Sequence, residues 1–423
     1  MERWPFVTLK SFAIPTFITV LMGLCVLMFI YPAAYLAAAL RGLAIWWDVL
    51  FPSLFPFFII SEVLLGFGIV HLIGTLLDPF MKPIFRIPGS GGFVAAMGYV
   101  SGYPIGAKLT AKLWEQQMVS RDEGERLVAF TTSSDPIFLI GAVSIGFFHN
   151  PGIVPILAIA HYGGGFLVGI IMRFHGDRPL QETHSVSPSS SKPRSNRLRD
   201  AIRAMHKARV ADGRNVGELI QEAIQSSLKL IIVVGGLVVF FSVFLELLTQ
   251  ANIMMGLYFI IEHALSFMGM PPALSKSLVG GIFEVTLGAR YAGEPITSIP
   301  LSFKVASAAF ILSWGGLSVH AQIASILHST NLRYWPFMMA RFIHGILAAC
   351  LVLVLWKPIA GGLDSQSTMV PFDMPIQTNF HSPQGFINNL VIFIILLFAM
   401  ALLSIIFNVF ISLLIRLRHA FGK

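Results

Sequence analysis

Long apolar runs interrupted by short polar clusters set the pattern of this chain. Apolar segments of spanning length lie near residues 12–40, 44–66, 127–149, 152–173, 229–249, 302–327, 337–356 and 386–415. About 20 apolar residues suffice to cross a bilayer, so the pattern predicts an all-α integral membrane protein with about eight full crossings. Ser11 to Leu40 carries no charge. That run far exceeds the roughly 7–15 residues of a secretory signal core, so residues 1–40 read as a retained anchor helix. Segments 69–86 and 252–268 are amphipathic and read as helices lying on the membrane surface. Segments 91–107 and 277–292 are short and interrupted by glycine and proline. They read as re-entrant hairpins, with short tilted crossings as the alternative; irregular backbone at membrane depth needs protein or a wet cavity around it.

The polar interruptions recur in the same order. Gly106-Ala107-Lys108 closes the first glycine-rich segment, and Gly288-Ala289-Arg290 closes the second, 182 residues further on. A second break follows each triplet inside an apolar run: Thr131-Thr132-Ser133-Ser134-Asp135-Pro136 in one half, Ser313-Trp314-Gly315-Gly316-Leu317-Ser318-Val319-His320 in the other. Pro136 withdraws a backbone donor and Gly315-Gly316 withdraws side-chain support, so a helix break is expected at each. Each half then reads as helix, surface helix, hairpin, broken helix, helix. Residues 41–173 form the first such repeat and 228–356 the second. Residues 357–423 read as an extracytoplasmic loop plus a C-terminal helix.

Charge orients this plan. Between Arg173 and Arg214 stand ten Lys or Arg against four Asp or Glu. Within this linker, 174–227, Ser185–Pro193 reads as flexible and Arg197–Arg214 as a basic surface helix. The positive-inside rule places it in the cytoplasm with both termini (Arg3, Lys10; Arg416, Arg418, Lys423). All three segments share a side only if the hairpins enter and return, which makes the halves an inverted repeat. Composition agrees: 55% of residues are hydrophobic and 12% charged, where a soluble domain carries about 25% charged residues. The net charge of +8 sits in a few hydrophilic segments, so the expected partner is the lipid bilayer and not nucleic acid. Cys25 and Cys350 lie in apolar spans and offer neither a disulfide framework nor zinc spacing. No nucleophile–base pair, metal cluster or phosphate loop has usable spacing, so no enzyme, metal or cofactor is expected.

Inverted-repeat transporters bind their cargo near the midplane, between discontinuous helices. The candidate lining is Ser101, Tyr103 and Lys108 on the first hairpin, Ser133 and Ser134 at the first break, Arg290 on the second hairpin, and Gly315, Gly316 and Ser318 at the second break. Broken helices are also expected to leave amides for an anion. Lys108 and Arg290 suit a small dianion, with Arg able to grip a carboxylate bidentately; at hairpin ends they could instead snorkel to the headgroups. Asp135, Glu284 and His320 are ionisable groups inside spans and so candidates for a coupling proton or, for the carboxylates, sodium. The alternatives are ion pairs, Asp135 with Lys108 and Glu284 with Arg290, and packing hydrogen bonds from His320 and Gln322 near Ser318.

Several motifs carry a resemblance. They are Phe51-Pro52-Ser53-Leu54-Phe55-Pro56-Phe57, Ser101-Gly102-Tyr103-Pro104 with Gly106-Ala107-Lys108, and Gly141-Ala142-Val143 with Gly146-Phe147-Phe148. The second half adds Gly315-Gly316-Leu317-Ser318-Val319-His320-Ala321-Gln322 and Arg341-Phe342-Ile343-His344-Gly345. Across about residues 45–356 the chain resembles sporulation membrane proteins of the nucleoside-recognition, or Gate, group. The resemblance implies a protein of endospore formers, in the outer forespore membrane, made in the mother cell and passing dipicolinic acid (pyridine-2,6-dicarboxylate). It also implies a layout similar to concentrative nucleoside transporters. Dipicolinate is a small dianion, as the paired cations favour. A nucleoside or other small-metabolite carrier and a non-transporting assembly factor of the spore envelope remain the alternatives, and a homo-oligomer is compatible with each.

Overall fold

The broken helices and hairpins are all present. The computed structural model describes residues 9–176, 197–295 and 298–360. All of them belong to one compact unit, Met1–Ser365. The terminal charges Arg3, Arg416, Arg418 and Lys423, the Ser185–Pro193 linker, segment 361–385 and helix 386–415 lie outside the described residues.

Every regular element among the described residues is helical. In order they are α1 (Leu9–Ile30), α2 (Pro32–Gly66), α3 (Ile69–Phe80), α4 (Gly91–Ser101), α5 (Tyr103–Glu115), α6 (Arg121–Thr131), α7 (Phe138–Phe147) and α8 (Pro151–Met172). There follow α9 (Arg197–Asp212), α10 (Val216–Gln250), α11 (Met255–Phe267), α12 (Ser275–Phe283), α13 (Val285–Gly293), α14 (Leu301–Trp314), α15 (Gly316–His328) and α16 (Tyr334–Ala360). Five stretches are long and apolar enough to cross a membrane: Pro32–Gly66, Pro151–Met172, Val216–Gln250, Leu301–His328 and Tyr334–Ile359. Shorter apolar helices accompany them at Ile18–Ile30, Gly91–Ser101, Phe138–Phe147 and Met255–Phe267. Large apolar side chains face outward along these elements, with Phe29 at 86% and Phe267 at 94% exposure. Such a surface suits lipid rather than water.

Two boundaries differ from the sequence reading; one is the start of α10, which opens at Val216 behind an Asn215 cap, inside the segment read as linker 174–227. The other is in α2: the helix expected to start at 44 starts at Pro32 and runs through Arg41-Gly42 without a break. Tyr31 interrupts the chain instead, and Pro32 opens the new helix, where a missing N–H does no harm. Two contacts keep the helix continuous. Arg41 pairs with Glu246 of α10 at 2.6 Å, and Gly42 lies so close to α10 that a Cβ there would sit 2.9 Å from Val239 Cα. Trp46 closes the same seam by donating Nε1–H to the carbonyl of Ile231 at 2.9 Å. Small residues at such a seam are the usual means of close approach between membrane helices.

The two glycine-rich segments are helical hairpins. The first, α4–α5, turns at Gly102, where φ is +82° and only glycine is comfortable. The second, α12–α13, turns at Glu284, in extended backbone. Its arms touch backbone to backbone: a Cβ at Gly288 would lie 2.3 Å from Gly281 Cα, and Ser277 Oγ donates to Gly288 O at 3.0 Å. Both predicted breaks also form. Residues 132–135 leave the helix just before Pro136, which disfavours helical backbone at its predecessor. Gly315 and Gly316 take φ of +89° and +75°, ending α14 and opening α15.

The order long helix, short helix, hairpin, broken helix, helix occurs twice, as α2 to α8 and as α10 to α16. The halves interlock. Arm α5 packs on α15, arm α13 packs on α7, and α16 packs on α6. The basic helix α9 forms as expected and lies along α3.

Candidate functional site

The two hairpin turns and the two helix breaks meet at one place. A Cβ on Gly102 would lie 3.2 Å from Asp135 Oδ2, one on Gly315 3.6 Å from the Tyr103 ring, and one on Gly316 3.1 Å from Glu284 Cα. First hairpin thus meets first break, second hairpin meets second break, and Tyr103 joins the two pairs. Its hydroxyl donates to Leu312 O, just before the second break, at 2.7 Å.

Both carboxylates act as helix caps. Asp135 Oδ1 accepts the amides of Ile137 at 3.0 Å and Phe138 at 2.8 Å. Glu284 accepts the Leu287 amide at 2.9 Å and the Thr286 hydroxyl at 3.2 Å. A carboxylate at a helix start answers orphan N–H groups and the positive end of the dipole. This corrects two expectations. The ion pairs Asp135–Lys108 and Glu284–Arg290 do not form, because each cation sits six residues, about 9 Å of helix rise, beyond its hairpin turn. Nor are all the amides at these breaks open to an anion, since those of α7 and α13 are taken. The starts of α5 at Tyr103 and α15 at Gly316 have no side-chain cap, and these two adjoin, although at α5 Pro104 has no N–H and the Ile105 amide donates to Gly102 O at 3.4 Å.

Ser133 and Ser134 are buried and bound to a residue with no assigned role, His161 of α8. His161 Nε2 accepts from the Ser134 amide at 3.2 Å and lies 2.9 Å from Ser133 Oγ; Nδ1 lies 2.9 Å from Ser313 Oγ. An amide can only donate, so Nε2 is the accepting nitrogen and Nδ1–H points at Ser313. One imidazole therefore ties both breaks together. His344 of α16 stacks on it with centroids 5.1 Å apart and donates from Nε2 to its carbonyl at 2.7 Å. Arg341, one turn earlier on α16, donates to Thr132 O at the first break.

Of the residues singled out from sequence, Tyr103, Ser133, Ser134, Asp135, Glu284, Gly315 and Gly316 come together, with Ser101 beside the Gly102 turn. Ser318 is buried in the first turn of α15. His320 is buried one turn on and bonded to the Tyr334 hydroxyl at 2.6 Å and to Trp314 O at 3.2 Å, which matches the packing alternative. Lys108 is exposed and Arg290 half-buried, away from the meeting point. His161, Arg341 and His344 were missed, although each is an ionisable residue inside an apolar span, the criterion that picked Asp135, Glu284 and His320.

Outside this centre, Glu125 of α6 gathers His175 at 2.6 Å and Arg333 at 2.8 Å, with Asp122 3.5 Å from Arg333. Burial would raise the Glu125 carboxyl, yet the hydrogen bonds from Arg333 and His175 bring it down to about 2. Asp122, Glu125 and His175 have oxygens and a nitrogen close enough for a metal ion, contrary to the expected lack of such a cluster, but Arg333 already supplies the positive charge.

Known proteins with similar sequences or folds place the chain. Residues 48–166 match the family model described as Gate: Nucleoside recognition. The solved structure of CNTnw in an inward-facing substrate-bound state is similar over 71% of this chain and 74% of that one, at 13% identity and a TM-score of 0.41. An uncharacterized protein of Alkalihalophilus pseudofirmus is 28% identical over 89 residues, 21% of this chain and 19% of its own. The sporulation integral membrane protein YlbJ of Bacillus subtilis is 45% identical over 331 residues, 78% of this chain and 79% of its own. With that identity over that length, this chain belongs to the family of the sporulation integral membrane protein YlbJ.

Proposed function

We propose that the chain is an alternating-access transporter carrying dipicolinate across the outer forespore membrane, with both termini in the mother-cell cytoplasm and two inverted repeats around one site. One observation carries this reading: four interruptions of helix, two from each repeat, converge on a buried polar centre. Backbone breaks at membrane depth are unfavourable unless something there uses them. The centre is also electrically divided. Asp135 and Glu284 occupy two helix starts, while the adjoining starts of α5 and α15 stay uncapped. Uncapped starts favour an anion, and capped ones place carboxylates where a proton or sodium ion could ride along. Lys108 and Arg290, outside the centre, would draw the dianion toward the two hairpins through their fields.

The test is uptake of labelled dipicolinate into proteoliposomes. Expected is saturable uptake that falls several-fold in a Lys108→Gln, Arg290→Gln double variant; unchanged uptake in that variant removes the role given to the two cations. A second reading, a nucleoside carrier, draws on the description of the matched family model. Competition by uridine but not by dipicolinate in the same assay would favour it. A null strain whose spores hold normal dipicolinate would remove the leading reading.

A further inference from the structure

Arg341 is 1% exposed and the largest fully buried side chain among the described residues. Its Nη1 arm donates to Thr132 O, but Nη2 is buried with no protein acceptor. No described carboxylate pairs with it. Asp135 and Glu284, in the same region, are engaged with the helix starts they cap. The guanidinium reaches the first break through Thr132 O; one turn on, His344 stacks on His161, which binds both breaks, and His344 and the Tyr99 hydroxyl of the first hairpin both lie against Gly165. Two more buried polar atoms lack protein partners: Ser101 Oγ, on the residue before the Gly102 turn, and Nδ1 of His344, one turn from Arg341.

A buried cation without a counter-charge is strongly unfavourable unless other charges or carbonyls answer it, and the Thr132 carbonyl answers only one arm of Arg341. Lys108, exposed, and Arg290, half-buried, keep contact with their surroundings and do not bear that full cost. We infer that Arg341 is the cargo-binding cation: a carboxylate of the transported anion docks on Nη2, with Ser101 Oγ on the facing hairpin as a second donor. A second carboxylate then lies toward the uncapped starts of α5 and α15. This inference rests on the transporter reading and names the group that selects an anion within it. A planar guanidinium fork suits a carboxylate better than an ammonium does.

The experiment measures binding and melting of the detergent-purified full chain with three probes: dipicolinate, benzoate and uridine. In Arg341→Met the side chain keeps its bulk and loses its charge. That variant is expected to melt no lower than wild type without ligand and to bind dipicolinate about thirtyfold or more weakly, as for loss of one partner from a buried charge pair. Undiminished dipicolinate affinity in Arg341→Met overturns the inference. If wild type responds to benzoate alone and Arg341→Met loses that response, the role of Arg341 stands and dipicolinate is removed as the cargo. If wild type responds to uridine alone, or to no probe, both readings fall. Should Arg341→Met not fold, Arg341→Lys decides: it keeps the charge without the fork, an intermediate loss of affinity is expected, and an unchanged Kd overturns the proposal.

Discussion

His161 does more at the centre than any residue chosen from the sequence. It holds Ser133, the Ser134 amide and Ser313, hence both breaks, through two ring nitrogens. Replacing it with Leu leaves the Ser134 amide and Ser313 Oγ buried without that partner, at about 1–3 kcal/mol each, while Ser133 Oγ keeps Ser134 O at 3.3 Å. His161→Leu is therefore expected to lower the melting temperature of the purified protein markedly. A melting temperature within a degree or so of wild type would mean the breaks are held by other contacts. Asp135, Glu284 and Tyr103 were legible because each sits in or beside a polar motif. His161 stands singly in an apolar run, and Arg341 and His344 share a motif that carried a resemblance but no role. Their role appears only when the fold sets α8 and α16 beside the breaks, a contact that spacing along one helix does not encode.

At the scale of elements, helix breaks and hairpins were the legible features, because proline and paired glycines act on backbone locally. The continuity of α2 was not, because it depends on Glu246 and Val239 of a distant helix. The second hairpin gives a sharp test of close packing. Gly288→Ala would drive a Cβ into Gly281 and part the arms, whereas a Cβ at Gly236 in α10 meets nothing within 4 Å. Alanine is favoured over glycine in a helix by about 0.8–1 kcal/mol. Gly236→Ala should leave stability equal or slightly raised, while Gly288→Ala lowers both melting temperature and uptake. Equal behaviour of the two variants would show that the backbone contact between the arms is dispensable.

Across the whole molecule, the Glu125 cluster joins the halves, since Arg333 follows the second break and Glu125 precedes the first. The folded Glu125 carboxyl lies at about 2, below its ordinary value of 4.5. Its contribution is thus full above about pH 4.5 and fades as pH falls toward 2. Arg333→Gln should destabilise the protein by roughly 1.5–3 kcal/mol at neutral pH, as expected for lost hydrogen bonds to a charged group. It should also flatten the loss of melting temperature between pH 5 and pH 3. A variant with the wild-type slope would place the acid sensitivity elsewhere.

The reciprocal docking of α5 on α15 and α13 on α7 bears on ancestry. Each hairpin finds its seat on the other half's broken helix, so an isolated half would expose the face its partner covers. A forerunner encoding one half alone would have needed a second copy to lend it that seat. Joining two such genes would then have made permanent a partnership that two separate chains had first to find by collision.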